Sequence, residues 1–231
     1  PTREAAIEEH GAWPFVTLRI HRRSDGGTAT WASRSFRKRL AISTVASPTS
    51  FVSQTLRSLW MPRQMNWWIG TIFAVGSLLF ATASLLSLVP SLAEKLSLGV
   101  TAVNSIFFAG SIPFTTAAYL QLNQAANAAR VQSGEHQPRR PFHWVGWQPH
   151  NLGWLSCLLQ WLGTILFNFN TFDAMVPGLT WFQKDAIIWL PNLAGSILFL
   201  LSGYMAFGET CHGYWAFRPR QLAWWIVSVN L

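Results

Sequence analysis

The 231-residue sequence predicts an all-α integral membrane protein, a helical bundle of tandem two-helix repeats, and three observations carry that expectation. Only 11% of the residues are charged, against roughly 25% in a soluble domain. The shortage is concentrated in four charge-free runs, 67–89, 96–122, 152–172 and 186–208, each reaching the ~20 residues that an α-helix needs to cross hydrocarbon. Core helices of a soluble globule would carry charged outer faces, and these runs have none. The second observation is a phrase that occurs three times. Trp60-Met61-Pro62-Arg63-Gln64-Met65-Asn66-Trp67 returns as Trp147-Gln148-Pro149-His150-Asn151-Leu152-Gly153-Trp154 and as Phe217-Arg218-Pro219-Arg220-Gln221-Leu222-Ala223-Trp224. Each copy stands just before an apolar run, and a fixed internal period of this kind marks a repeated architecture.

The third observation is charge placement. Arg3, Arg19, Arg22, Arg23, Arg34, Arg37, Lys38, Arg39, Arg57 and Arg63 precede the first run. Arg130, Arg139 and Arg140 lie between the second and third, and Arg218 and Arg220 come after the fourth. The two short hairpin connections hold only Lys95 and Lys184. The positive-inside rule then puts the amino terminus in the cytoplasm, and the location expected for the chain is a cell inner (plasma) membrane crossed several times. That topology accounts for the net charge of +8 without nucleic acid as a partner.

Taken in order, 1–59 is a basic, polar amino-terminal region. Phe15-Val16-Thr17-Leu18-Arg19-Ile20 alternates, Ser24-Asp25-Gly26-Gly27 signals a turn, and Thr28-Ala29-Thr30-Trp31 comes next, which predicts a small β-hairpin. The basic stretch 34–40 suits anionic lipid headgroups, where each Lys or Arg contributes ~1 kcal/mol, or equally a solvated arm. The stretch 43–53 reads as linker. Hairpin repeat one occupies 60–130, with spans at about 67–89 and 96–122 joined by a tight turn at Pro90. A cytoplasmic loop covers 131–146, and hairpin repeat two covers 147–216 with spans at about 152–172 and 186–208. The last segment, 217–231, starts a third repeat, which the period expects to run on for about 50–60 residues. Tryptophans gather at the predicted ends of the spans, where an indole meets both lipid and water.

The spans carry two kinds of candidate residue. Gly70, Ala74, Ser77, Ala81 and Ser84 follow helical spacing and form a narrow stripe of small side chains, expected to let another helix approach closely. Gly110, Gly163 and Gly195 are the corresponding packing candidates on the other spans. Asn104, Gln160, Asn170 and Asn192 are amides within apolar runs and are expected to turn away from lipid, because an unpaired amide there costs several kcal/mol. No ionisable residue lies near the middle of any span, which counts against an ion-coupled carrier.

No catalytic constellation is present, and no cofactor is expected. His136, His143, His150, Cys157, Glu209, Cys211 and His212 collect toward the cytoplasmic side. Of these, His143, His150, Cys157, Cys211 and His212 are the candidate metal or haem ligands, but no short ligand spacing links them. Interfacial histidines and free thiols are the plainer account.

The register continues inside the spans. Gly76-Ser77-Leu78-Leu79-Phe80 and Gly163-Thr164-Ile165-Leu166-Phe167 are shifted by 87, and Ala109-Gly110-Ser111-Ile112-Pro113-Phe114 and Ala194-Gly195-Ser196-Ile197-Leu198-Phe199 by 85. Paired hydrophobic helices bearing Gly-Ser-x-x-Phe resemble the YrhK-like domain, a two-helix membrane module of bacterial proteins. The chain from Trp60 onward is similar to uncharacterised bacterial multi-pass proteins built from such modules. The resemblance implies tandem hairpins and a bacterial membrane, and it carries no activity and no catalytic residues. Thr164 in place of serine, and Pro113 inside the motif, depart from the pattern. Three functions fit this reading. The first is a non-enzymatic packing or interaction module, with the bilayer and a second copy of the chain as partners. The second is a small transporter or channel of parallel hairpins. The third is a metal- or haem-binding redox protein.

Overall fold

The computed structural model describes residues 7–22, 27–39, 59–132 and 141–231. Most of the turn at 24–27, the linker 43–53, the loop residues 133–140 and with them His136 lie outside the described residues. The described chain is mainly helical, with three short strands near its amino terminus. Among the described residues, four helices are long and apolar enough to cross a membrane: Met65–Leu88, Val100–Ala126, Leu152–Asp173 and the stretch Trp181–Cys211.

The strands β1 (Ile7–His10), β2 (Leu18–Arg22) and β3 (Thr28–Ala32) form an antiparallel sheet in the order β1-β2-β3. The expected hairpin is β2 with β3, which places Arg19 opposite Trp31 and Ile20 opposite Thr30. Strand β1 joins it without an alternating pattern. Its sequence, Ile7-Glu8-Glu9-His10, pairs antiparallel with β2, and two exposed ion pairs accompany the ladder: Glu9 with Arg19 at 2.8 Å and Glu8 with Arg22 at 2.7 Å. Cross-strand pairs of opposite charge stabilise a sheet that is otherwise marginal at two strands. Helix α1 (Ser33–Arg37) begins directly after β3.

The spanning helices are α2 (Met65–Leu88), α4 (Val100–Ala126), α6 (Leu152–Asp173) and α8 (Leu190–Cys211). The tight turn after α2 is itself a helix, α3 (Pro90–Lys95), with Pro90 at its start, where a missing N–H costs nothing. Helix α4 absorbs Pro113 without ending and is succeeded by α5 (Ala128–Gln132). Before α8 come α7 (Trp181–Lys184) and a π-turn, Asp185–Trp189. A capping box starts α7: Thr180 Oγ1 accepts from the Gln183 N–H, and Gln183 Oε1 accepts from the Thr180 N–H. The last helix is α9 (Leu222–Val229).

The chain divides into two compact units. One comprises 47–121 and 159–199, and the other comprises 1–46, 122–158 and 200–231. In the first unit, α2 packs on α4 where Gly76 faces Gly110. A methyl group on Gly76 would lie 2.5 Å from the Phe114 ring and 3.0 Å from the Gly110 carbonyl oxygen. Helices α6 and α8 pack in the same way in that unit, and a methyl group on Gly195 would lie 2.9 Å from the Phe167 ring and 3.3 Å from the Gly163 carbonyl oxygen. Phe80 meets Phe114 edge-on at 5.2 Å, and Phe167 meets Phe199 at 5.3 Å. Each glycine opens the space that a phenylalanine of the facing helix fills.

Within this unit, the face of α2 that meets α4 is not the expected small-residue stripe. Gly70, Ala74, Ser77, Ala81 and Ser84 are exposed, and Gly70 has no neighbour within 4 Å of where its Cβ would be. The buried positions of α2 are Ile69, Gly76, Ala83 and Leu86. Spacing alone identifies two narrow faces on this helix. Packing selects the one that carries Gly76, because Phe114 needs that gap and Ala83 and Leu86 share a cluster with Ala93 and Val103.

Candidate functional site

A buried polar cluster lies in the unit that contains the strands. It begins with α1, whose two arginines are three residues apart and so share one helix face. Arg37 Nη2 donates to Glu209 Oε2 at 2.7 Å, and Ser33 Oγ donates to Glu209 Oε1 at 2.7 Å. Glu209, in the last turn of α8, is fully buried, and Arg37 is only 5% exposed. Arg37 Nη1 donates to Cys157 Sγ at 3.3 Å, and Arg34 Nη1 donates to Thr210 Oγ1 at 2.7 Å. The contact requires a glycine: a methyl group on Gly153 would collide with the Glu209 carboxylate and lie 2.8 Å from Arg37 Nε. Arg37 Nε is itself buried without a hydrogen-bond partner.

Charge in this cluster is uneven. Burial opposes ionisation of Arg37, but Cys157 and Glu209 beside it outweigh burial and hold its pKa above the ordinary arginine value. For Lys38 the balance goes the other way. Burial, reinforced by Arg34 and Arg37, pulls its pKa down to about 8. The basic stretch is therefore neither a free arm nor wholly turned to lipid. Arg34 and Arg37 face Thr210 and Glu209, while Arg19 and Arg22 face carboxylates of β1.

The candidate ligands are scattered among different roles. His212 closes α8 in the left-handed region at φ 57°, the position after a helix that most often takes glycine. That backbone turn brings its Nδ1 within 2.9 Å of Thr17 Oγ1. Burial and Arg218 lower its pKa. Cys211 is buried against Phe207 and Val227, and Cys157 against Arg37. His143 and His150 are exposed. His143 is held through its backbone: its N–H donates to Asn127 Oδ1 at 3.0 Å, and its carbonyl accepts from Asn127 Nδ2 at 2.7 Å. Among the described residues no three His, Cys, Asp or Glu come together as a metal site.

The four intramembrane amides differ. Asn104 Nδ2 donates to the Ala174 carbonyl at 2.7 Å, whereas Gln160, Asn170 and Asn192 are half-buried. The amide that ties two helices side chain to side chain is Asn168, whose Nδ2 donates to Thr115 Oγ1 at 2.9 Å. Elsewhere Ser156 and Ser202 exchange hydrogen bonds with one another's carbonyls at 2.9 and 2.7 Å.

The threefold phrase has a common local geometry. The indole N–H of Trp67 donates to the Leu59 carbonyl, that of Trp154 to Val145 and that of Trp224 to Ala216, at 2.8, 2.9 and 2.8 Å. The aromatic that opens each phrase meets the closing tryptophan edge-on, at 5.3, 5.7 and 5.4 Å. Sequence reasoning passed over Ser33, Arg37 and Gly153 as a group. One signal was present: the residue before the closing tryptophan is Asn66 in the first phrase and Ala223 in the third, and glycine only in the second.

The chain matches no family model, no curated protein and no solved structure. Its four apolar spanning helices define it as a polytopic helical membrane protein.

Proposed function

We propose that this is a non-enzymatic packing and interaction module of a bacterial inner membrane, built of tandem YrhK-like hairpins that carry a folded, cytoplasmic amino-terminal cap. The observation that supports this most is the ion pair of Arg37 with Glu209, 172 positions apart and buried on both sides. A buried pair with added hydrogen bonds is costly to break and gives a specific docking register. Its polar groups serve one another, as a joint does. The exposed stripe from Gly70 to Ser84 supports a second copy of the chain as a partner. Arg39 and Arg63, both exposed, remain for anionic headgroups.

The test has two arms in native membranes. Single cysteines at Ser91 and Ser133 should be labelled from opposite faces, and labelling from one face would sink the proposed topology. A photoreactive residue at Trp13, which is 84% exposed, should give a protein adduct that Glu209→Ala abolishes while insertion persists. If no adduct forms, and purified protein moves an ion or solute across liposomes, the hairpins serve transport and the module reading is wrong.

A further inference from the structure

Within the unit comprising 47–121 and 159–199, the two glycine crossings border a half-open cavity of about 200 Å³. Its lining is Phe80, Phe114, Phe167 and Phe199, with Ser111 and Thr164. Both edge-on phenylalanine pairs therefore contribute to one space, one pair from α2 and α4 and the other from α6 and α8.

The two hydroxyls do not make this a polar site. Ser111 Oγ donates to the Phe108 carbonyl at 2.8 Å, and Thr164 Oγ1 donates to the Trp161 carbonyl at 2.7 Å. Both donors are spent on their own helices, and the Ser111 oxygen also accepts from Thr171 Oγ1 of α6 at 3.3 Å, which leaves methylene and methyl groups and aromatic carbon toward the cavity. A water molecule needs two to four polar partners to be held, and an apolar cavity of ~150 Å³ is known to stay dry and to accept benzene. This cavity is somewhat larger and equally short of partners. A quinone or another ligand bearing carbonyls would lose hydrogen bonds on entering and gain none, at a cost of about 1–3 kcal/mol for each polar group. A saturated hydrocarbon loses nothing.

We propose that this cavity is a binding site for a lipid acyl chain, seated among the four phenylalanine rings. The helices that line it are the ones long and apolar enough to cross a membrane, so acyl chains are the hydrocarbon they meet. Straight methylene chains fit between ring edges and faces through dispersion contacts, which are individually weak and collectively large.

The full chain, reconstituted in phosphatidylcholine vesicles containing a phospholipid with a diazirine at mid-chain, provides the test. After irradiation, adducts should concentrate on Phe80, Phe114, Phe167 and Phe199, by about fivefold over the exposed Leu78, Leu85 and Ile197. Ser111→Leu fills the cavity and should return the four rings to the background of the exposed positions. Thr171 keeps its bond to the Phe167 carbonyl in that variant, so no hydroxyl is orphaned. Should Ser111→Leu fail to fold, Phe199→Ala enlarges the cavity instead and should raise labelling of the three remaining rings. Adducts spread in proportion to exposure, or unchanged by either variant, would overturn the proposal. So would enrichment from a diazirine-bearing benzoquinone in the same vesicles without enrichment from the phospholipid.

Discussion

Each of the two units closes on itself by a different means. In the one comprising 47–121 and 159–199, close approach is made by absence: Gly76 and Gly110, and Gly163 and Gly195, clear space that phenylalanine rings occupy. In the other, close approach is made by charge, with Glu209 taking hydrogen bonds from Arg37 and Ser33 and Gly153 stepping aside for them. Glycine serves both, once for a ring and once for a carboxylate. The difference concerns tolerance. A ring can swing aside, at a cost, to admit a methyl group, whereas a buried charge that loses its partner has no second solution.

The largest expected effect comes from that asymmetry. Glu209→Ala leaves the Arg37 guanidinium buried and unpaired and should cost about 3–5 kcal/mol, read as a fall in the thermal midpoint in detergent. The double variant Arg37→Met with Glu209→Leu should recover most of the loss. Failure to recover would mean that Ser33 and Cys157 contribute more than the pair itself.

Gly76→Ala sharpens the other side of the comparison and should cost about 1–3 kcal/mol through overpacking against Phe114. Gly70→Ala, with open space around it, should be neutral or slightly stabilising, because alanine favours a helix. Equal losses from both would place the α2 interface on the wrong face. A smaller effect, about 1 kcal/mol, is expected for Trp154→Phe, which removes the hydrogen bond to the Val145 carbonyl from a fully buried ring. Trp67→Phe, at a less buried position, should cost less than that.

A separate effect is one of pH. Lys38 has a pKa of about 8 in the folded protein and 10.5 as its ordinary value. Between those limits the unfolded chain binds a proton that the folded chain does not, so stability should rise as pH goes from about 8 toward 10. Lys38→Met should remove that rise, measured by melts at several pH values. An identical slope in wild type and variant would assign the rise to other groups.

The spans were legible because charge is costly in hydrocarbon, and a run without charge is visible from sequence alone. The Gly76, Phe80, Gly110 and Phe114 register was legible as text, since the residues in contact are the ones that recur at fixed shifts. The direction of the α2 face was not, because small residues lie on two faces and only the ring of Phe114 separates them. Strand β1 was hidden because Ile7-Glu8-Glu9-His10 does not alternate, and its ion pairs to Arg19 and Arg22 show only once it lies beside β2. The Arg37 cluster was hidden by distance along the chain: Arg37, Gly153 and Glu209 carry no shared local pattern, and only folding brings them together.

The indole bonds of Trp67, Trp154 and Trp224 set a ruler. Each ties a ring to a carbonyl eight or nine positions upstream, so the stretch between them forms a closed loop of nearly constant circumference. A loop of fixed size measures off where a helix begins, whichever helix stands behind it. The three stretches are then exchangeable pieces of hardware: the segment that ends at Trp67 could stand in for the one that ends at Trp224 without shifting the helix behind it. Inserting one residue inside any of them would throw the indole off its carbonyl before it moved the helix, and near-ultraviolet tryptophan signals would register the slip.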